Sequence, residues 1–155
     1  MKINYDELKK EIEDFFRKNK SFVLATSAND KVSARTMDCI NIGLKIMFET
    51  DRRSGKFKQM EKNPNVALCT KNVQIEGVAK IRKHPLDESN KKFIELYKKN
   101  HLYAYQLYSH LKNSVVIRVE PKLITLWKHI NGKPLRDFLF IDKRIARREY
   151  YDISK

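Results

Sequence analysis

Hydrophobic residues recur every three to four positions in some segments and at every second position in others, which predicts helices and strands respectively. Residues 4–19 place Leu8, Ile12 and Phe16 on one face, a spacing that predicts an amphipathic helix. Asn4 followed by Glu7 is typical of a helix N-terminus, where a side chain accepts an otherwise unpaired backbone N–H. Further helices are predicted over residues 54–62 and 87–100, and the tyrosine-rich residues 102–111 are predicted to be helical or irregular.

The extended segments are short and follow one another closely. Strands are predicted, in chain order, over residues 22–26, 32–42, 44–50, 65–70, 73–83, 114–127, 138–141 and 145–151. In residues 44–50 the Leu, Ile and Phe positions are expected to face inward, with Lys, Met and Glu between them. Gly77 is expected to mark a bend or bulge, and Pro121 an edge position or a bulge.

Turn chemistry links most of these strands directly. Residues 28–31 and the pair Asn131-Gly132 are typical of hairpin turns. Hairpin links without regular strand–helix alternation favour an antiparallel barrel or closed sheet over a doubly wound parallel sheet. We therefore predict one domain over residues 1–155, mainly β with peripheral helices.

The composition is that of a folded chain, with 41% hydrophobic and 34% charged residues. No apolar run of about 18 residues occurs and the charged N-terminus lacks a signal-peptide pattern, so we expect a cytoplasmic protein. Cys39 and Cys69 are expected to be buried small hydrophobes rather than a disulfide. The four histidines form no metal-like spacing.

The formal net charge of +14 raises the question of a polyanionic partner. The basic residues are dispersed in pairs along the chain, as solvated helix faces and strand edges require. No helix-turn-helix, zinc-finger or RNP pattern is visible. Specific nucleic-acid binding is therefore not expected, and neither is a membrane partner.

Residues 33–56 hold the strongest chemical signal. Arg35 lies in one predicted strand, Thr50 ends another, and Ser54 and Lys56 open the following helix. Cations, hydroxyls and free helix N–H groups are what a phosphate monoester needs. The alternative interpretations are an ordinary surface arginine and a simple helix cap at Ser54.

The order of these segments resembles a known family. A helix is followed by FVLAT, ART-M, FETDRRSGK, NPNVAL and IEGVAKI. This set is similar to the pyridoxamine 5'-phosphate oxidase-like flavoproteins, and most similar to their small general-stress-protein branch, over roughly residues 5–130. The resemblance implies an antiparallel split β-barrel that binds FMN, in a homodimer with two FMN molecules at the subunit interface.

The resemblance also assigns the phosphate end of the cofactor. Arg35 would contact the ribityl phosphate, and Ser54 and Lys56 would complete the phosphate site. The family often has an Arg-Lys pair after the serine, whereas this chain has Gly55 before the lysine. One of the two arginines at positions 52 and 53 could replace the missing cation, although both are more typical of solvated side chains.

Other residues would contact or line the flavin ring. By the same resemblance these are Thr36 and Met37 through backbone groups, Glu49 and Thr50 along the cofactor, Asn72 or Gln74 at a ring edge, and Trp127 from the opposite subunit. Met37, Phe48 and Trp127 could supply an apolar slot for the ring.

The sequence therefore predicts an FMN-dependent oxidoreductase acting on an unidentified small molecule, with no catalytic acid or base assigned. Activity on pyridoxamine 5'-phosphate itself is not favoured, because the basic residues 144–148 cannot be matched to a substrate-phosphate site. The alternatives are a protein that holds flavin, heme or a deazaflavin without turnover, and a protein whose basic surface binds polyanions.

Overall fold

The strands of residues 1–154, which the computed structural model describes, pair only in antiparallel fashion. In chain order they are β1 (Lys2–Ile3), β2 (Ser21–Ala28), β3 (Lys31–Asp38), β4 (Ile40–Ile42), β5 (Lys45–Asp51), β6 (Asn65–Thr70), β7 (Val73–Ile81), β8 (Ser114–Ile130), β9 (Lys133–Phe140) and β10 (Ile145–Tyr150). The helices are α1 (Tyr5–Lys18), α2 (Gly55–Lys62), α3 (Lys91–Asn100) and α4 (Leu102–Tyr108), with a 3₁₀ turn at Glu88–Asn90.

The long strand β8 is the branch point of the sheet. The main path runs β1-β10-β9-β8-β7-β6-β2-β3, and β5 leaves it by pairing with both β8 and β4. The first part of β8 pairs with β5, and the second part pairs with β9. This branching gives the predicted split β-barrel, mainly β with peripheral helices.

The predicted irregularities in β7 and β8 face each other. The register shifts between Glu76 and Gly77, and Gly77 lies opposite Pro121. A Cβ atom on Gly77 would meet the Glu120 carbonyl oxygen at 2.6 Å, so only glycine allows this close approach. Pro121 lies in a central strand, where the edge prediction is wrong and the bulge prediction is confirmed.

The Leu, Ile and Phe positions of residues 44–50 face the main core as predicted, but the other face of β5 is buried as well. Phe48 belongs to the main core inside the barrel, which Phe16, Leu24 and Ile124 also fill. Met47 points the other way, into a second core cluster with Phe93 and Tyr97 of α3. Because α3 and α4 cover this face of the strand, the polar Glu49 is buried as well, with 7% of its surface exposed.

Several segments differ from their predicted bounds. The segment expected as one strand over residues 32–42 is two strands, interrupted at Cys39, whose backbone N–H binds the Lys20 carbonyl oxygen at 2.8 Å. The helix predicted over residues 87–100 begins with the 3₁₀ turn at Glu88–Asn90. The short strand β1 was not predicted. Cys39 is buried as expected, but Cys69 is exposed because it faces outward from β6.

Among residues 1–154, no helix has both the length and the apolar character needed to cross a membrane.

Candidate functional site

Two partly buried cations lie close together beside the barrel. Arg35 of β3 sits opposite the fully buried Leu24, and its Nη1 donates to Thr26 Oγ1 at 2.7 Å and to the Leu24 carbonyl at 3.3 Å. Lys56 lies in the first turn of α2. Burial lowers the pKa of Lys56, and the nearby Arg35 charge lowers it further, while Asp51 partly opposes them. The Arg35 pKa is also lowered by burial.

This cation pair has no carboxylate of its own. Within residues 1–154, neither Arg35 nor Lys56 forms an ion pair. Asp51, which precedes α2, is held instead by Arg53 through guanidinium contacts of 3.0 and 2.8 Å and a backbone N–H contact of 2.7 Å. Asp51 still acts on Lys56 from a distance, but two partly buried like charges without an ion-pair partner form a site that favours an anion.

Hydroxyl groups and a helix N-terminus complete this site. Thr50 Oγ1 at the end of β5 is 3.3 Å from Ser54 Oγ. Ser54 caps α2 by accepting a hydrogen bond from the Phe57 N–H at 3.3 Å, so its hydroxyl hydrogen is left for Thr50 or for a ligand. A Cβ atom added at Gly55 would meet nothing within 4 Å, which leaves open space at the first turn. We call Arg35, Thr50, Ser54 and Lys56 the cradle.

The arginines next to the cradle have other partners. Arg53 is bound to Asp51, as described above. Arg52 lies with its guanidinium carbon 5.6 Å from the centre of the Phe57 ring. These contacts favour the interpretation in which Gly55 leaves the cradle with two cations rather than three.

The expected ring contacts divide between two faces of the sheet. Thr36 is exposed and lies opposite Val23, on the outer face. Met37 is partly buried and packs against the main core. Phe48 is fully buried in that core, so its expected role in an open apolar slot is wrong.

Glu49 points away from the barrel interior, toward α3 and α4. Both of its carboxylate oxygens lie near the Ser109 hydroxyl, at 2.9 and 2.8 Å. Burial raises the pKa of Glu49 to about 7, although the Ser109 hydrogen bond opposes this. The carboxyl lines a cavity of about 200 Å³ that it shares with Thr50, Lys56, Tyr97 and others. A buried carboxyl that keeps its proton to a higher pH than usual therefore lies next to the cradle.

Asn72, Gln74 and Trp127 lie on the outer face of the sheet. The Asn72 side-chain amide donates to the Trp127 carbonyl at 2.6 Å, which ties it to the start of the β7–β8 pairing. Gln74 is exposed, and its only side-chain contact within residues 1–154 is with Glu76 at 3.5 Å. Trp127 is 45% exposed, and the Arg136 guanidinium lies 4.9 Å from its ring centre. Of the two side-chain amides, Gln74 is held less tightly by neighbouring groups and is therefore more available to a ligand.

Sequence reasoning missed the residues that support Arg35. Thr26 is 1% exposed, receives the Arg35 hydrogen bond and donates to Gln59 Oε1 of α2 at 2.5 Å. Ser109, the partner of Glu49, was missed as well. The only available signal was a threonine on the inward side of an otherwise apolar strand.

Together, the branched antiparallel sheet and the cradle define a split-barrel protein with a candidate anion site at the end of β5. The sequence model of the pyridoxamine 5'-phosphate oxidase family matches residues 8–128. Since this match covers most of the chain, the chain belongs to that family. No curated protein matches the sequence.

Solved structures with a similar fold come from several bacteria. General stress protein 26 from Bacillus anthracis is 27% identical, with a TM-score of 0.60, covering 76% of this chain and 92% of that one. ChuZ from Campylobacter jejuni is 14% identical, with a TM-score of 0.74, covering 93% of this chain and 63% of that one. HutZ, the heme storage protein from Vibrio cholerae, is 16% identical, with a TM-score of 0.61, covering 74% and 89%.

Proposed function

We propose that this chain is an FMN-binding flavoprotein that acts as an oxidoreductase on a small molecule. The observation that carries the proposal is the pair of Arg35 and Lys56, which interact with each other without forming an ion pair, near the Thr50 and Ser54 hydroxyls. Membership of the pyridoxamine 5'-phosphate oxidase family supports FMN as the ligand whose phosphate binds there.

The cradle fits a phosphate monoester in charge and in donors. Such a group carries about −1.5 to −2 charges at neutral pH, which two cations can balance. Arg35 offers a planar donor fork, Lys56 a point charge, and Ser54 a hydroxyl at the N-terminus of α2. The bound flavin would supply hydride or electron transfer, while the chain supplies binding, orientation and electrostatics.

The ring end of this proposal requires a second copy of the chain. The cradle lies on the side of Leu24, whereas Gln74 and Trp127 project from the opposite face of the same sheet. One ligand can meet both sets of residues if the outer-face residues come from a partner chain. We therefore propose a homodimer in which the partner's outer face, including its tryptophan, covers the flavin ring held by the first chain.

The test begins with the absorbance spectrum of the purified protein and of its released ligand. FMN is then titrated into ligand-free protein and into the Lys56→Gln and Arg35→Gln variants. Each variant should lose about 1.5–3 kcal/mol of binding free energy, the range for a charge-assisted hydrogen bond. Lys58→Gln is the matched control, since it removes an exposed lysine two residues further along α2. Equal affinities in all four proteins would refute the cradle assignment.

Heme binding without turnover is the second candidate, favoured by the fold shared with the heme storage protein HutZ. The heme propionates could use the same cations, so the variants do not separate the two ligands. The spectrum does, because flavin gives yellow bands and heme a Soret band. NAD(P)H-driven bleaching of bound flavin with a panel of acceptors then distinguishes an enzyme from a carrier.

A further inference from the structure

The short helix α4 exposes apolar side chains on a strongly charged molecule. Leu102, Tyr103 and Leu107 are 50%, 75% and 40% exposed, whereas Ala104 on the opposite side is buried. The helix sequence, LYAYQLY, contains no charged residue. Several large apolar groups exposed on one short helix, with the exposed Gln106 among them, are more typical of a contact surface than of a scattered apolar background.

Lysines without carboxylate partners flank α4 in the sequence, before and after the helix. Lys98 and Lys99 end α3 just before it, and Lys112 follows it. All three are exposed, and none forms an ion pair within residues 1–154. The Lys98 ammonium lies 5.4 Å from the centre of the Tyr105 ring, which keeps its charge next to α4. We call Leu102, Tyr103, Leu107 and these three lysines the α4 face.

We propose that the α4 face docks on the surface of an anionic lipid bilayer. Leucine and tyrosine side chains partition into the headgroup region, and flanking lysines pair with lipid phosphates and carboxylates. Because α4 has only seven residues, its apolar insertion is small and the lysines must contribute much of the affinity. This contact differs from a membrane span, which residues 1–154 do not contain.

Charge and side-chain type argue against the other occupants. A symmetric contact between two copies of the α4 face would bring six unpaired lysines together without carboxylates, which is repulsive. Nucleic acid would balance the lysines and could stack a base on Tyr103, but it would leave the exposed Leu102 and Leu107 without an apolar partner. An anionic bilayer offers an apolar environment to the leucines and negative charge to the lysines.

The proposal is independent of the flavin assignment. Tyr108 and Leu111, at the end of the same segment, line the cavity beside Lys56 and are not part of the α4 face. A ligand in the cradle and a bilayer against α4 can therefore bind at the same time, and each can fail without the other.

The experiment is co-sedimentation of the full chain with phosphatidylcholine vesicles, prepared with and without phosphatidylserine. Binding should require phosphatidylserine and weaken with added salt. The triple variant Lys98→Gln, Lys99→Gln, Lys112→Gln should bind about a hundredfold more weakly, at roughly fivefold for each lysine. Its matched control removes three other exposed and unpaired lysines, by Lys10→Gln, Lys18→Gln and Lys62→Gln, and should lose much less.

The apolar part is tested by Leu107→Ser, which should weaken vesicle binding several-fold while leaving FMN binding and fold unchanged. Light scattering and single-stranded RNA binding are measured on the same proteins. Weaker vesicle binding in Leu107→Ser and in the triple variant of Lys98, Lys99 and Lys112, but not in the control triple variant, supports the proposal. Three results overturn it: no vesicle binding, equal binding of the two triple variants, or a Leu107→Ser protein that dissociates into monomers, which would assign the face to a second copy. RNA binding that depends on these residues, without vesicle binding, would assign it to nucleic acid.

Discussion

Replacing the buried Glu49 with glutamine should remove a pH dependence from the stability of the folded chain. Burial raises the pKa of this carboxyl to about 7 from its ordinary value of 4.5. Between these pH values the folded chain keeps a proton that the unfolded chain releases. The free energy of unfolding of the parent therefore falls as the pH rises through this range.

The size of the effect follows from the two pKa values. At about 1.4 kcal/mol for each pH unit, the range from 4.5 to 7 corresponds to roughly 3 kcal/mol, of which about 2.5 kcal/mol falls between pH 5 and pH 8. Glu49 is 7% exposed, and its pKa shift comes from this burial rather than from a neighbouring charge. Glutamine keeps the shape and can still accept the Ser109 hydrogen bond, but it does not ionise.

The assay is urea unfolding of flavin-free protein at a series of pH values, with the parent, Glu49→Gln and the exposed-site control Glu61→Gln compared. The difference between parent and Glu49→Gln isolates this one carboxyl from the histidines, which titrate in the same range. The variant should gain relative stability as the pH rises. Parallel stability curves for parent and variant would refute the buried, proton-retaining carboxyl.

Three further predictions concern the cradle and the strand irregularity. Lys56→Met should weaken FMN binding yet raise the melting temperature of flavin-free protein, since it relieves the repulsion from Arg35; a lowered melting temperature would contradict this. Gly55→Arg should tighten FMN binding, because it adds a cation in open space, and calorimetric titration showing weaker or unchanged binding would argue against a phosphate there. Gly77→Ala should cost about 1–3 kcal/mol of unfolding free energy because its Cβ meets the Glu120 carbonyl, whereas Gly55→Ala should cost nothing; equal urea midpoints would contradict the close approach.

Local signals were sufficient to predict most of the fold. Hairpin turns, caps and strand periods depend on neighbouring residues, so the positions of α1, β6 and the Asn131-Gly132 turn are close to their predicted places. The covered outer side of β5 could not be predicted, because α3 and α4 lie some 40 residues or more along the chain and only their packing buries Met47 and Glu49.

The charged residues of the candidate site could be predicted from the sequence, but the residues that hold them in position could not. Arg35 and Lys56 lie in neighbouring segments of a recognisable pattern, even though β3 and β5 do not pair with each other. The link between them depends on α2 packing against β2, where Thr26 bridges Arg35 and Gln59. Such bridges join side chains far apart in sequence, and no local spacing reports them.

The central claim is that the cradle holds the phosphate of a bound FMN. The most direct measurement is the absorbance spectrum of the purified protein, followed by chromatographic identification of the ligand released from it. We predict the yellow bands of an oxidised flavin and FMN as the released compound, bound at one molecule per chain. A Soret band, or a protein that stays colourless after incubation with excess FMN, would contradict the assignment.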